Sequence, residues 1–379
     1  MRRLSFWDNA PMQKIEYIDD QESAAQLAER LQGAKYIAID TEFVRERTYH
    51  PRPCLLQICW EDQLACIDLL ELGIPTALEE LLMAPDVTKV LHSARQDLEL
   101  FFVMSGKVPG PIFDTQIAAA MIGLQEQCGY GTAVETILGT KLEKGHARTD
   151  WSRRPLRPEQ IEYAADDVRY LVPLYKHLLG MLADRGRSDW PVEDFSALLD
   201  QNLYRPDPQN AYLRVKGWRR SKGAEMPVLQ ALASWREEQA IARDKPRKWI
   251  LADDALMELA RSRPANVNEL VAIKSLPNAV RQRHGDQLVS LCVATATTTA
   301  TPAVEADSRL SKTESALAGR LNSSVDRRAR ENDIAAAMLA PRAEIKNLVR
   351  GCRDSKVLKG WRMDLVGRRL LQEMGLSET

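Results

Sequence analysis

The sequence predicts an α/β domain, a mixed sheet with flanking helices, followed by two all-helical domains. Three observations lead there. Short apolar runs with strand-like composition fall between residues 36 and 93. After residue 200 strand-like alternation nearly vanishes and helical periodicity takes over. A Thr- and Ala-rich stretch, residues 294–315, has the composition of a linker and separates two helical segments. The 379 residues, 45% hydrophobic and 28% charged, suit two or three domains with ordinary cores and exclude a disordered or fibrous chain.

Taken in order, YIAID (36–40), CLLQICW (54–60) and QLACIDL (63–69) read as strands, and the connector WEDQ is short enough for a hairpin. The helical stretch TALEELLMAP separates them from a fourth strand, VTKVLHS (87–93). This predicts an antiparallel meander and then an α/β crossover. There follow the amphipathic ARQDLELFFVMSG, a short PIFD, the helical TQIAAAMIGL and TAVETILG, and one long helical run, EQIEYAADDVRYLVPLYKHLLGMLADRG. The second half offers the helices MPVLQALASWREEQAIARD, ALMELARSRP, VNELVAIKSL and AVRQRHGDQLVSLCV. After the linker, MLAPRAEIKNLVRG and GWRMDLVGRRLLQEM close the chain.

No apolar stretch approaches the ~18 residues of a membrane span, and the start MRRLSFWDNAPMQK has too short an apolar patch for a secretory leader. A cytoplasmic protein is expected. The six cysteines form no C-x-x-C pair and are expected reduced and structural, and the five histidines pair with no cysteine at zinc spacing. Net charge is −1, but residues 1–200 carry 21 Lys+Arg against 32 Asp+Glu (−11) and residues 201–379 carry 31 against 21 (+10). An acidic half beside a basic half suits a metal-dependent site joined to a module that holds a polyanion.

The chemistry rests on carboxylates. Asp40 and Glu42 stand at i and i+2 of a strand end, so both point to one face. Asp97, in LHSARQDLEL, falls one turn into the helix after the fourth strand. Tyr163 and Asp167, in EYAADDVRYL, are i and i+4 on a helix and share a face. Four carboxylates without His or Cys are hard oxygen ligands for Mg²⁺ or Mn²⁺. Two such ions about 3.5–4 Å apart would clamp the attacking and leaving oxygens of a phosphodiester.

D-x-E in a first strand, D in H-S-A-x-x-D and Y-x-x-x-D in a late helix resemble the three motifs of the DEDD exonuclease superfamily, in its tyrosine-bearing branch. The resemblance implies a ribonuclease H-like fold over residues 12–182 and selects Asp167 over its neighbour Asp166. Residues 222–300 resemble the HRDC helical domain, and residues 308–376 a second, divergent copy. That domain order is similar to the bacterial ribonuclease D family.

The resemblance implies a metal-dependent 3′→5′ exoribonuclease that trims tRNA precursors and other small structured RNAs, releasing nucleoside 5′-monophosphates and acting as a monomer with two Mg²⁺ (or Mn²⁺). In it, Asp40, Glu42 and Asp167 hold one ion, Asp40 and Asp97 serve the other, and Tyr163 orients the attacking water. Two substrate contacts are further expected: Phe43 stacking on the terminal base, and His92 reaching a phosphate or the terminal ribose. The segment 141–158, with six Lys+Arg against two acids, is expected to guide the RNA backbone. Removing everything after about residue 203 is expected to spare cleavage of short oligonucleotides. A DNA exonuclease and a non-catalytic nucleic-acid scaffold are the alternatives, because the carboxylates do not distinguish ribose from deoxyribose.

Overall fold

Six strands form one sheet in the order β1-β4-β3-β2-β5-β6: β1 (Ile15–Ile18), β2 (Tyr36–Val44), β3 (Arg52–Trp60), β4 (Gln63–Asp68), β5 (Thr88–Leu91) and β6 (Ile112–Asp114). The computed structural model describes residues 14–61, 63–142, 145, 149–295 and 310–376. The N-terminal segment tested above for a leader, most of the linker and part of the basic segment 141–158 lie outside the described residues.

The predicted meander is present: β2, β3 and β4 are neighbours, and β3 runs antiparallel to β4 with Leu55 opposite Asp68 and Trp60 opposite Gln63. β5 lies parallel to β2, Tyr36 opposite Thr88, after the crossover helix Thr76–Met83. β6 continues in parallel, Leu91 opposite Asp114. The sheet is mixed and helices flank it, as expected. Four of the elements that escaped the sequence reading are β1, whose IEYI breaks an apolar run with a glutamate, the helix Gln21–Arg30, N-capped by Asp20, and the helices Val192–Leu198 and Lys312–Glu331. β1 sits on the sheet edge beside β4, where only part of a strand needs to be apolar.

The run read as one helix from 159 onward is two, Pro158–Arg169 and Leu171–Asp184, meeting at Tyr170. Pro173 explains the break: it has no N–H, and its ring obstructs the carbonyl four residues back, that of Arg169.

By packing, the chain forms two units. One comprises residues up to Val44, Pro53–Tyr204 and Leu310 onward; the other comprises Arg45–Arg52 and Arg205–Arg309. The second unit is helical. Helices Glu225–Ala242, Asp253–Ser262 and Asn278–Thr295 bury Leu229, Leu232, Trp235, Leu256, Leu259 and Leu288 in a core of their own.

The terminal helical segment does not form a separate core. Leu321, Leu339, Ile345, Leu348 and Leu370 are fully buried and continuous with the core of the sheet domain. The indoles of Trp190 and Trp361 stack at 4.2 Å, and Arg362, fully buried, pairs with Asp194 at 2.5 Å and Glu193 at 3.1 Å. Arg187 donates to the carbonyls of Met121, at 2.7 Å, and of Asn332. The truncation expected above to spare activity therefore strips one wall of the nuclease core. A protein ending near residue 203 is expected to melt far below the full chain or to aggregate, because each large buried aliphatic side chain lost contributes about 1.5–3 kcal/mol. Thermal melts of the truncated and full chains check this.

Candidate active site

β2 delivers the first two carboxylates. Its interior residues Ile37, Ala38 and Ile39 are fully buried, which fixes the strand and brings Asp40 and Glu42 out half-buried in its second half. The helix Pro158–Arg169 buries Ala164, Ala165 and Val168 and presents Asp167 toward them. One carboxylate oxygen from each of Asp40, Glu42 and Asp167 lies within 4.8 Å of the others.

Asp97 joins by another route. It is 6% exposed, in the first turn of the helix Arg95–Ser105, and its Oδ1 accepts a 2.5 Å bond from Thr41, the residue between the two strand acids. That helix is aimed by Asp114 at the end of β6. Its carboxylate accepts from the amides of Ser93 (3.2 Å) and Ala94 (2.9 Å), just before the helix, and from those of Gln116 (2.8 Å) and Ile117 (3.3 Å), where it caps the next one. Ser93 takes φ 62° to make the turn.

These acids repel one another's charge. Burial first, then the carboxylates of Asp97, Asp167 and Glu42, raise Asp40 well above the usual range. Burial and Asp167 push Glu42 up to about 8. Burial brings Asp97 to about 7 despite the Thr41 bond, and burial with Asp166 brings Asp167 to about 7. Hard oxygen donors packed this closely, with no cationic side chain of the described residues among them, fit a divalent cation.

A stability consequence follows, with the sign fixed by linkage. The folded acids bind protons more tightly than the unfolded ones, so the metal-free protein loses stability as pH rises from about 4 through about 8. A divalent ion replaces those protons. We expect Mn²⁺ or Mg²⁺ to raise Tm relative to EDTA, with an increment that grows between about pH 5 and about pH 8. A metal increment that shrinks as pH rises would contradict this.

Tyr163 is half-buried on the same helix as Asp167, its ring stacked on the buried Trp151 at 6.3 Å and 28°. Burial and the neighbouring Asp167, Glu42 and Asp40 push its phenol up to about 12. Asp166, by contrast, turns to Arg169 in an ion pair shared with Glu162. Phe43 is half-buried, and its neighbour Val44 packs on the core.

His92 is fully engaged within the protein. Its Nε2 lies 2.9 Å from the Cys128 carbonyl and its Nδ1 2.9 Å from the Thr115 hydroxyl. Burial lowers its pKa; Nε2–H donates to the Cys128 carbonyl, while Nδ1 faces the oxygen of Thr115, whose own proton goes to the Leu91 carbonyl at 2.9 Å. Neither nitrogen is left for a phosphate, which corrects the expected role: His92 braces the turn before Ala94.

The basic segment 141–158 is also partly committed. Arg154 grips Asp68 with both Nε and Nη2 and donates to the carbonyls of Cys54 and Trp151, each at 2.8 Å. It is a structural pin rather than an RNA guide.

Sequence reading missed Tyr130. Its hydroxyl donates to the Asp166 carbonyl at 2.9 Å, beside the turn where the two helices meet, and its ring lies 5.6 Å from that of His92. Burial and the nearby Asp167 raise its pKa well above the ordinary tyrosine value. A tyrosine opening a helix carries no local signal of such a role. Nor do Thr41, Asp114 or Trp151.

Residues 15–183 match the family model described as 3′-5′ exonuclease, and residues 225–292 match that of the HRDC domain. The chain is 36% identical over 365 residues to ribonuclease D of Acidiphilium cryptum, covering 94% of this chain and 92% of that protein. It is 38% identical over 364 residues to ribonuclease D of Zymomonas mobilis, with 94% and 93% covered. It superimposes on the crystal structure of Escherichia coli RNase D, an exoribonuclease involved in structured RNA processing, with a TM-score of 0.85 and 28% identity over 96% of this chain and 99% of that one.

Proposed function

This chain belongs to the ribonuclease D family, metal-dependent 3′→5′ exoribonucleases that bind RNA, and from that premise we propose how its own residues do the work and on what. Asp40, Glu42, Asp97 and Asp167 hold two Mg²⁺ or Mn²⁺ ions, and Tyr163 completes the catalytic set. The observation that carries this reading is the convergence of three carboxylate oxygens within 4.8 Å from a strand and a distant helix. When bound, the metals supply Lewis acidity toward the phosphodiester.

The protein's part is placement. Tyr163, with a pKa of about 12, keeps its proton at neutral pH and so orients the attacking water by a hydrogen bond rather than acting as a base. Thr41 and Asp114 hold Asp97 in reach, and Phe43 offers a ring face for the terminal base. The substrates are 3′ extensions of tRNA precursors and other small structured RNAs, released as nucleoside 5′-monophosphates. Residues 222–300 serve as an HRDC domain, and residues 308–376 as a second, divergent HRDC-like segment. The protein works as a monomer in the cytoplasm; among the described residues no helix is long and apolar enough to cross a membrane.

End-labelled RNA and DNA of one sequence, each with a free or phosphorylated 3′ end, test this reading in Mg²⁺ and in EDTA. Stepwise, metal-dependent loss from free 3′ ends of RNA, yielding 5′-monophosphates, is the expected result. Equal or faster trimming of DNA would overturn the substrate assignment, and internal cuts would overturn the exonucleolytic one.

A further inference from the structure

The second packing unit, Arg45–Arg52 with Arg205–Arg309, contains a groove of about 420 Å³ whose lining has no role in the chemistry above. Five of its lining side chains are cationic (Arg45, Arg214, Arg236, Arg247 and Lys248) against two carboxylates, Glu46 and Asp253. Part of that charge is spent internally. Arg236, 2% exposed, bonds to Asp253 at 2.7 Å and to the Leu251 carbonyl at 3.0 Å. Arg247 clasps the buried Glu237 at 2.5 and 2.7 Å and lies over the Tyr49 ring at 4.8 Å. These pairs build rigid walls. Arg214 and Lys248 stand exposed on them, Arg214 keeping one bond of 3.3 Å to Glu237.

Among these cations stands Trp249, 60% exposed. Core packing does not need it, since the next two residues, Ile250 and Leu251, are the ones buried, at 7% and 1%. An indole left in water within a cluster of arginines and a lysine is a stacking platform beside phosphate-binding charge. An acidic peptide would satisfy the cations but leave the ring face unused.

We propose that this groove holds a single-stranded RNA segment, one base stacked on Trp249 and the flanking phosphates on Arg214 and Lys248. The inference rests on the ribonuclease reading for the identity of the polyanion. Single strand is required because a base inside a duplex has no free face to offer the indole.

The test uses the full-length protein and its Trp249→Ala and Arg214→Ala/Lys248→Ala variants. Affinity for labelled oligoadenylate and for a blunt RNA hairpin is measured in EDTA over a range of salt, and trimming of a dinucleotide in Mg²⁺. Trp249→Ala should weaken oligoadenylate binding roughly tenfold with the salt slope kept. The double variant should weaken it and flatten the slope by about 0.7 for each phosphate no longer neutralised. The hairpin should lose far less with Trp249→Ala, and all three proteins should trim the dinucleotide, which reaches only the carboxylate site, at one rate. Wild-type oligoadenylate affinity in the Trp249 variant, or an equal loss on the hairpin, overturns the proposal. Failure of the wild type to trim any RNA, with Trp249-dependent binding intact, would remove the nuclease reading and leave the groove standing.

Discussion

Asp40→Asn is expected to lower turnover by at least about a thousandfold while leaving the metal-free protein as stable as the wild type, or more so. The two effects share one cause. Asp40 lies where burial and three other carboxylates disfavour its charge, so replacing it with a neutral isostere relieves repulsion in the absence of metal. The same charge is needed to hold the ions that stabilise the transition state, and losing one member of such a clamp costs several kcal/mol of barrier. Glu42→Gln, Asp97→Asn and Asp167→Asn should follow the pattern. Asp166→Asn is the control, because Asp166 is paired with Arg169, and its loss should leave turnover within a few-fold of wild type. Single-turnover rates and melts in EDTA decide the matter. A variant that lost activity through unfolding would show a lowered Tm, which is the opposite of the expected shift.

Tyr163→Phe is expected to reduce kcat roughly a hundredfold with little change in KM. The ring and its stacking on Trp151 survive the substitution, so the helix that carries Asp167 keeps its place. Only the hydroxyl is removed, and losing its bond to the attacking water should raise the barrier by about 2–3 kcal/mol, each 1.36 kcal/mol being tenfold in rate. Tyr163→Ala should lose the same activity and also lower Tm, since it strips the face of Trp151. If the phenylalanine variant trims RNA at the wild-type rate, Tyr163 contributes packing alone.

Much of the site was legible in the sequence because its spacing is local. A strand alternates faces every residue, so Asp40 and Glu42 had to emerge together, and a helix returns every fourth residue to one face, so Tyr163 and Asp167 had to stack. The meander was legible for the same reason: so short a connector between Trp60 and Gln63 leaves adjacent strands little choice of partner. The commitments of His92 and of Arg154 in the basic segment were not legible, because an exposed polar residue and a half-buried one bonded within the protein read alike along the chain. Tyr130 and Trp151 escaped because their importance lies in what they touch: a carbonyl 36 residues away and a ring on another element.

By itself, then, the sequence determined the carboxylate chemistry, the order of α/β and helical segments and the separation of acidic from basic halves. These follow from residue identity and from periodicities of two and 3.6. Only the tertiary structure decided that the last segment shares its core with the nuclease rather than forming its own, that Asp114 aims the Asp97 helix, and that Trp249 faces water. An amphipathic helix shows in its sequence that one face must be covered but not by what. The choice depends on which apolar surfaces, often more than a hundred residues apart, bury the most area when they meet.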